Sequence, residues 1–193
     1  MIDQAALDTL FLEARSHNGW LAGDVTEAQL RALYDLAKMG PTTANSQPMR
    51  IVFVRSKEGK EKLAPALSNN NRPKTLAAPV TAIIAYSLDF PDGMDGFYHV
   101  PGAGKWYTTT EDLRRDTAFR NGSLQGAYFI LAARAVGLDC GPMSGFDIAK
   151  VDAAFFPDGR TKTNFLCNLG RGDPAKLHPL MPRRAFEEIC SFA

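Results

Sequence analysis

Cysteine is scarce: Cys140, Cys167 and Cys190 are the only three in 193 residues, and none forms a Cys-x-x-Cys pair. So sparse and odd a set fits reduced thiols rather than a disulfide framework. Histidine is equally thin, and His17, His99 and His178 stand too far apart for metal-ligand spacing. An excess of either charge is also missing. Twenty-two basic residues face twenty-one acidic ones, a formal charge of +1. That balance leaves no electrostatic footprint for nucleic acid and no basic run for an anionic membrane surface. No apolar stretch approaches the roughly 20 residues of a membrane-spanning helix. Asp3 and Asp8 interrupt the start, where a secretory signal would be basic and then apolar. A cytoplasmic protein without nucleic-acid or membrane partners is expected.

Familiar catalytic motifs are absent too. There is no Gly-x-Ser-x-Gly elbow, no phosphate loop, and no Gly-x-Gly-x-x-Gly after a strand. These absences argue against a serine hydrolase, a P-loop nucleotidase and a Rossmann dehydrogenase. No metal site and no protein nucleophile are expected, and no internal repeat divides the chain, so 1–193 is expected to form a single domain.

What is present is an alternation of helical and extended patterns. Leu7 to Arg15 has helical spacing, and Thr26-Glu27-Ala28-Gln29 has the form of a capping box ahead of Leu30, Leu33, Tyr34 and Ala37. Gly40-Pro41 ends that helix. Arg50 to Arg55 and Pro79 to Tyr86 predict strands, the second apolar enough to lie centrally, with a helix over Lys57 to Leu67 between them. Asp112 to Val136 carries the longest helical pattern, with Leu124, Ala127, Tyr128, Leu131 and Ala135 apolar and Gly137 as its cap. Thr163 to Leu169 predicts a third strand, and Arg184 to Cys190 a short terminal helix. Residues 89–110 are aromatic but aperiodic, which predicts a lid rather than disorder, with Trp106 and Tyr107 at its centre.

The chemistry is carried by polar turns at the ends of these elements. Gly40 to Pro48 packs hydroxyls and amides between a helix and a strand. Arg15-Ser16 sets a guanidinium beside a hydroxyl, a pair suited to phosphate. Asn71-Arg72-Pro73-Lys74 precedes a buried strand, and Gly141-Pro142-Met143-Ser144-Gly145 follows a short one.

In this order the blocks resemble the nitroreductase family. Gly-Pro-Thr-Thr-Ala-Asn-Ser-Gln-Pro-Met-Arg is similar to the family's signature turn, and the likeness extends from Leu10 to Ile189, ending on Pro-Arg before Phe-Glu-Glu. His-Asn-Gly-Trp at 17–20 and Gly-Pro-Met-Ser-Gly-Phe-Asp at 141–147 look most like the malonic semialdehyde reductase branch. The resemblance implies an α+β homodimer with a central antiparallel sheet flanked by helices, and FMN bound at the subunit interface. It also implies NADH or NADPH as co-substrate, a small-molecule acceptor and ping-pong hydride transfer. The alternatives are a broad-range nitro or quinone reductase and a flavin-binding protein without useful turnover.

By the same resemblance, Arg15, Ser16 and Arg183 surround the FMN phosphate, with Arg184 as the alternative register for the last. Asn71 and Lys74 meet the polar edge of the isoalloxazine. Pro142, Met143, Ser144 and Gly145 line the ring. Pro41, Thr42, Thr43, Asn45 and Gln47 reach the flavin from the other protomer. Two positions depart from the family pattern. Asn18, a further cofactor contact, stands where many members carry Lys or Arg, leaving Lys74 to supply a cation. Ser144 stands where several carry Glu.

Overall fold

The computed structural model describes residues 2–193. Four antiparallel strands form one sheet: β1 (Met49–Val54), β2 (Val80–Ser87), β3 (Asp139–Met143) and β4 (Thr161–Gly170), in the spatial order β1-β2-β4-β3. β2 lies inside the sheet, and all eight of its residues are buried. A strand covered on both faces has no solvent side to make polar, which explains why only Thr81 and Ser87 interrupt its apolar sequence.

Helices α2 (Glu27–Ala37) and α5 (Glu111–Ala135) cover one face of the sheet around Leu33, Ile84, Phe129 and Leu169. On the other face, α3 (Lys57–Leu63) and α6 (Ile148–Phe155) enclose Leu63, Ile83, Val151 and Leu166. The chain begins with α1 (Gln4–Leu7), extended by a π turn over Asp8–Leu12. Between α3 and β2 lies α4 (Arg72–Ala77), and α7 (Phe186–Ile189) sits in the terminal tail. The capping box opens α2: Gln29 N–H donates to Thr26 Oγ1, and Gln29 Oε1 accepts from Thr26 N–H. Caps of this kind are each worth about 1 kcal/mol.

Three local expectations are corrected. Arg15-Ser16 do not close the first helix but lie beyond its π turn, where Ser16 bridges Cys140 of β3 in parallel. Asn71 to Lys74 start a helix rather than form a simple turn. Gly141, Pro142 and Met143 belong to β3 instead of following it; an edge strand tolerates the proline's missing N–H. Residues 89–110 hold two 3-10 turns, Phe90–Gly96 and Ala103–Tyr107, which pack with Tyr86 and Ala118 as a third apolar cluster.

On α5 the burial runs opposite to the hydrophobic pattern. Its inner face is built from Asn121, Gly122, Gln125, Gly126, Phe129, Ala132 and Ala133. Gly126 is needed for contact, because a Cβ there would come within 2.6 Å of the Phe165 ring. The outer face keeps Leu124 and Tyr128 at 48% and 40% exposure.

Candidate functional site

Three of the sequence blocks close into one corner. The first is the extended segment Arg15–Asn18, held to β3 by His17 N–H donating to Cys140 O at 2.8 Å. Its His17 Nε2 lies 3.3 Å from Asp139 Oδ1, and Asp139 Oδ2 accepts from Gly172 N–H at 2.7 Å. The second block is the N-terminal end of α4. The third is the end of β3, running into Ser144 and Gly145.

Two side chains stitch the corner together. Asn71 Nδ2 donates to Gly145 O at 2.9 Å, and Lys74 Nζ donates to Asn18 Oδ1 at 3.0 Å. Gly145 is the residue type that lets the first contact form, since a Cβ would sit 2.5 Å from the Asn71 amide nitrogen. Asn18 therefore serves as an acceptor that orients Lys74. Partial burial pushes the Lys74 ammonium below its ordinary pKa. Trp20 Nε1 donates to Lys74 O at 3.0 Å and pins the helix from the same side. The half-buried Arg15 guanidinium donates to His178 O, which draws the start of the tail across the corner. Beside it is a cavity of about 240 Å³ lined by Arg15, His17, Arg134, Asp139 and Cys140 among others.

The signature turn lies elsewhere in the chain. Thr43 N–H donates to Asn121 Oδ1 at 2.8 Å, and Met49 N–H to Gln125 Oε1 at 2.9 Å, so the turn hangs on the inner face of α5. Thr42 Oγ1 accepts from Gln47 N–H at 3.2 Å, and Asn45 Nδ2 donates to Phe97 O at 2.9 Å. Ala44, Asn45 and Gln47 all have left-handed φ, at 46°, 50° and 43°. For side chains other than glycine this is strained backbone, the kind that persists where a site demands it. Ser46 Oγ is buried without a partner beside a cavity of about 270 Å³ between this turn and the first 3-10 turn of the aromatic segment.

Not every expected residue joins a cluster. Pro41 is exposed at the mouth of the turn. Arg183 donates to the carbonyls of Met181 and Pro182, and Arg184 pairs with Glu188, so neither guanidinium meets Arg15. Residues 178–193 are exposed throughout. Trp106 is about half exposed, while Tyr107 packs against Phe90. The outer cleft lined by Tyr86, Phe119, Asp152 and Lys162, about 430 Å³, contains none of the predicted residues.

Sequence reasoning missed Asn121, Gln125 and Trp20. The first two are four apart on one helix, so polar residues at helical spacing within a long apolar-looking helix were the available signal. No group of three or more metal-ligating side chains occurs among the described residues, and none of their helices is long and apolar enough to cross a membrane.

A sequence profile described as the nitroreductase family matches residues 13–171. The chain belongs to the nitroreductase family. It is 56% identical over 192 residues to a Stenotrophomonas maltophilia protein provisionally named NADH dehydrogenase/NAD(P)H nitroreductase, covering 100% of this chain and 98% of the relative. A Ralstonia pickettii protein with the same provisional name is 54% identical over 191 residues, covering 97% of each. In three dimensions the fold matches a provisionally assigned nitroreductase from Exiguobacterium sibiricum, solved in complex with FMN. The TM-score is 0.89 at 18% identity, over 100% of this chain and 99% of that one. Nitroreductase membership accounts for the antiparallel sheet and its flanking helices.

Proposed function

We propose that this nitroreductase-family chain is an FMN-dependent oxidoreductase that takes reducing equivalents from NADH or NADPH and delivers them to a small organic acceptor. The observation that carries this reading is the stitched corner, in which Asn71–Gly145 and Lys74–Asn18 hydrogen bonds unite three distant blocks. Its donor set fits FMN. Arg15 and Ser16 offer a guanidinium and a hydroxyl to a phosphate dianion, with Arg183 or Arg184 brought in from the tail. Asn71 and Lys74 offer an amide and an ammonium to the carbonyl edge of a flavin. Pro142, Met143, Ser144 and Gly145 supply an uncharged wall for its ring.

FMN supplies hydride transfer at its N5 atom when bound; the protein supplies position and electrostatics. Lys74 would hold its proton toward the carbonyl edge of a bound flavin, and Asn18 keeps that ammonium in place. Trp106 and Tyr107 act as a lid that excludes water and admits reductant and acceptor in turn, a ping-pong order. We further propose a homodimer in which Pro41, Thr42, Thr43, Asn45 and Gln47 of one protomer serve the corner of its partner. The exposed apolar face of α5 and the exposed Leu180, Met181, Phe186, Ile189 and Phe192 of the tail support this pairing.

For the acceptor, we propose malonic semialdehyde, reduced to 3-hydroxypropionate. The provisional names of the relatives favour a second reading, a broad nitro or quinone reductase. Comparing turnover of a short aldehyde, a nitroaromatic and a quinone on one preparation separates the two. The test of the function itself is the visible spectrum of the purified protein, then anaerobic addition of NADH or NADPH. A yellow protein that bleaches supports it; one that stays colourless after incubation with FMN overturns it.

A further inference from the structure

Lys60 is buried at 7% exposure on α3, and no ion pair among the described residues includes it. A lysine in such a place is costly unless its donors are used. Its Nζ donates to Thr75 O at 2.8 Å and to Thr81 Oγ1 at 2.6 Å. Thr81 Oγ1 donates onward to Asn168 Oδ1 at 2.7 Å. The other end of that amide, Asn168 Nδ2, donates to Thr75 Oγ1 at 3.3 Å, and Thr75 Oγ1 donates to Met143 Sδ at 3.5 Å. Every member from Lys60 to Met143 is no more than 8% exposed. Each hydroxyl accepts one bond and donates the next, so the chain runs in one direction from the ammonium to the Met143 sulfur. The amide of Asn168 cannot flip without breaking both of its bonds.

This chain of bonds lies on the side of the sheet that carries the candidate site. Thr75 is in the last turn of α4, where a cation on a free carbonyl is favourable. The same helix carries Asn71 at its N-cap and Lys74 immediately before Thr75. Trp20 grips the carbonyl of residue 74 and Lys60 the carbonyl of residue 75, so a six-residue helix is clamped at two consecutive carbonyls. A helix that short has little stability of its own and takes its position from such contacts.

We propose that Lys60 is a positioning residue for the cofactor site, seating α4 and Met143 from beneath through the Thr81–Asn168–Thr75 chain. The inference rests on the FMN reading above. Burial holds the Lys60 ammonium down to about 8, in keeping with a cation kept in the interior without a carboxylate.

The test compares wild-type protein with Lys60→Met and Thr81→Val, the second retaining the ammonium and the β-branched shape. Three quantities are read: FMN dissociation constant by fluorescence titration, midpoint potential of bound FMN, and amide exchange across residues 72–77 without FMN. Lys60→Met removes both Nζ bonds and should weaken FMN binding about tenfold, because α4 must then be ordered when FMN binds. It should also make the potential more negative as Lys74 loses its fixed place, and speed exchange in α4. Thr81→Val should move all three the same way by less. A lowered melting temperature with FMN affinity within twofold of wild type and an unchanged potential would make Lys60 a structural tie only and overturn the proposal. If Lys60→Met does not fold, Thr81→Val decides alone on the same criteria. Wild-type protein that binds no FMN would instead sink the functional reading on which the proposal stands.

Discussion

The two polar regions of this protein are built on opposite terms. The corner formed by Arg15–Asn18, α4 and the end of β3 closes on itself: its side chains bond to one another, and a part-buried Trp20 bond and a buried Lys60 bond brace it from behind. The Pro41–Pro48 turn meets none of those residues. It hangs from Asn121 and Gln125, carries three left-handed residues, and ends against a helix whose outer face is apolar and exposed. One region satisfies its side-chain bonds internally. The other is strained and unfinished, as expected of a part that works on a second copy of the chain.

The sharpest way to break that contrast is Leu124→Asp on the outer face of α5. An unpaired carboxylate buried at an apolar interface costs several kcal/mol. Light scattering should show monomers, and flavin absorbance should fall with the dimer. Monomers that keep stoichiometric FMN would mean that the corner needs no help from the turn.

Next in size, Arg15→Ala should weaken FMN binding by roughly a hundredfold, the scale of two charge-assisted hydrogen bonds to phosphate, measured by equilibrium dialysis. Arg183→Ala should approach the same loss, because a phosphate competes well with the Met181 and Pro182 carbonyls that now hold that guanidinium. Full flavin retention in Arg183→Ala would leave that arginine a surface residue of the tail.

A third effect lies in the bracing of the corner. Lys60 titrates near 8 when folded and at its ordinary 10.5 when unfolded. Between those values the unfolded chain holds the proton and the folded one does not, so this lysine's contribution to stability rises with pH. Below pH 8 the penalty is constant. Denaturant unfolding should show wild type gaining about 3 kcal/mol on Lys60→Met from pH 7.5 to 10.5. A gap that does not change with pH would mean Lys60 is not the buried cation described.

The smallest effect probes the strained turn. Ala44→Gly relieves a left-handed alanine and should raise the unfolding free energy by about 0.5 kcal/mol, after the entropy glycine costs. Destabilisation by the same change would show that the Ala44 methyl is held by packing rather than tolerated under strain.

Much of the fold was legible along the chain. The Thr26 capping box, the β-branched run at 50–55 and the largely apolar run at 80–86 are local signals, governed by neighbours a few residues away. The ordered polar blocks gained their meaning from the family resemblance, and three of them meet at the corner. The face of α5 was not legible. Its pattern of leucine and tyrosine suggested one buried side, but the sheet took the side with glycine, alanine and two amides, because close packing on Phe165 and Tyr86 requires small residues. The clasp between Lys60 and Met143 was equally hidden.

By itself, the sequence determined α2, α5, the strands β1, β2 and β4, the central place of β2 and the lack of metal-ligand spacing. The residues proposed to meet a phosphate and a flavin edge came from the family resemblance. Only the tertiary structure decided which of those blocks touch, which face of α5 is inside, and that a lone lysine lies beneath the site. Those outcomes depend on contacts between residues far apart in sequence, and hydrophobic periodicity reports only what is near.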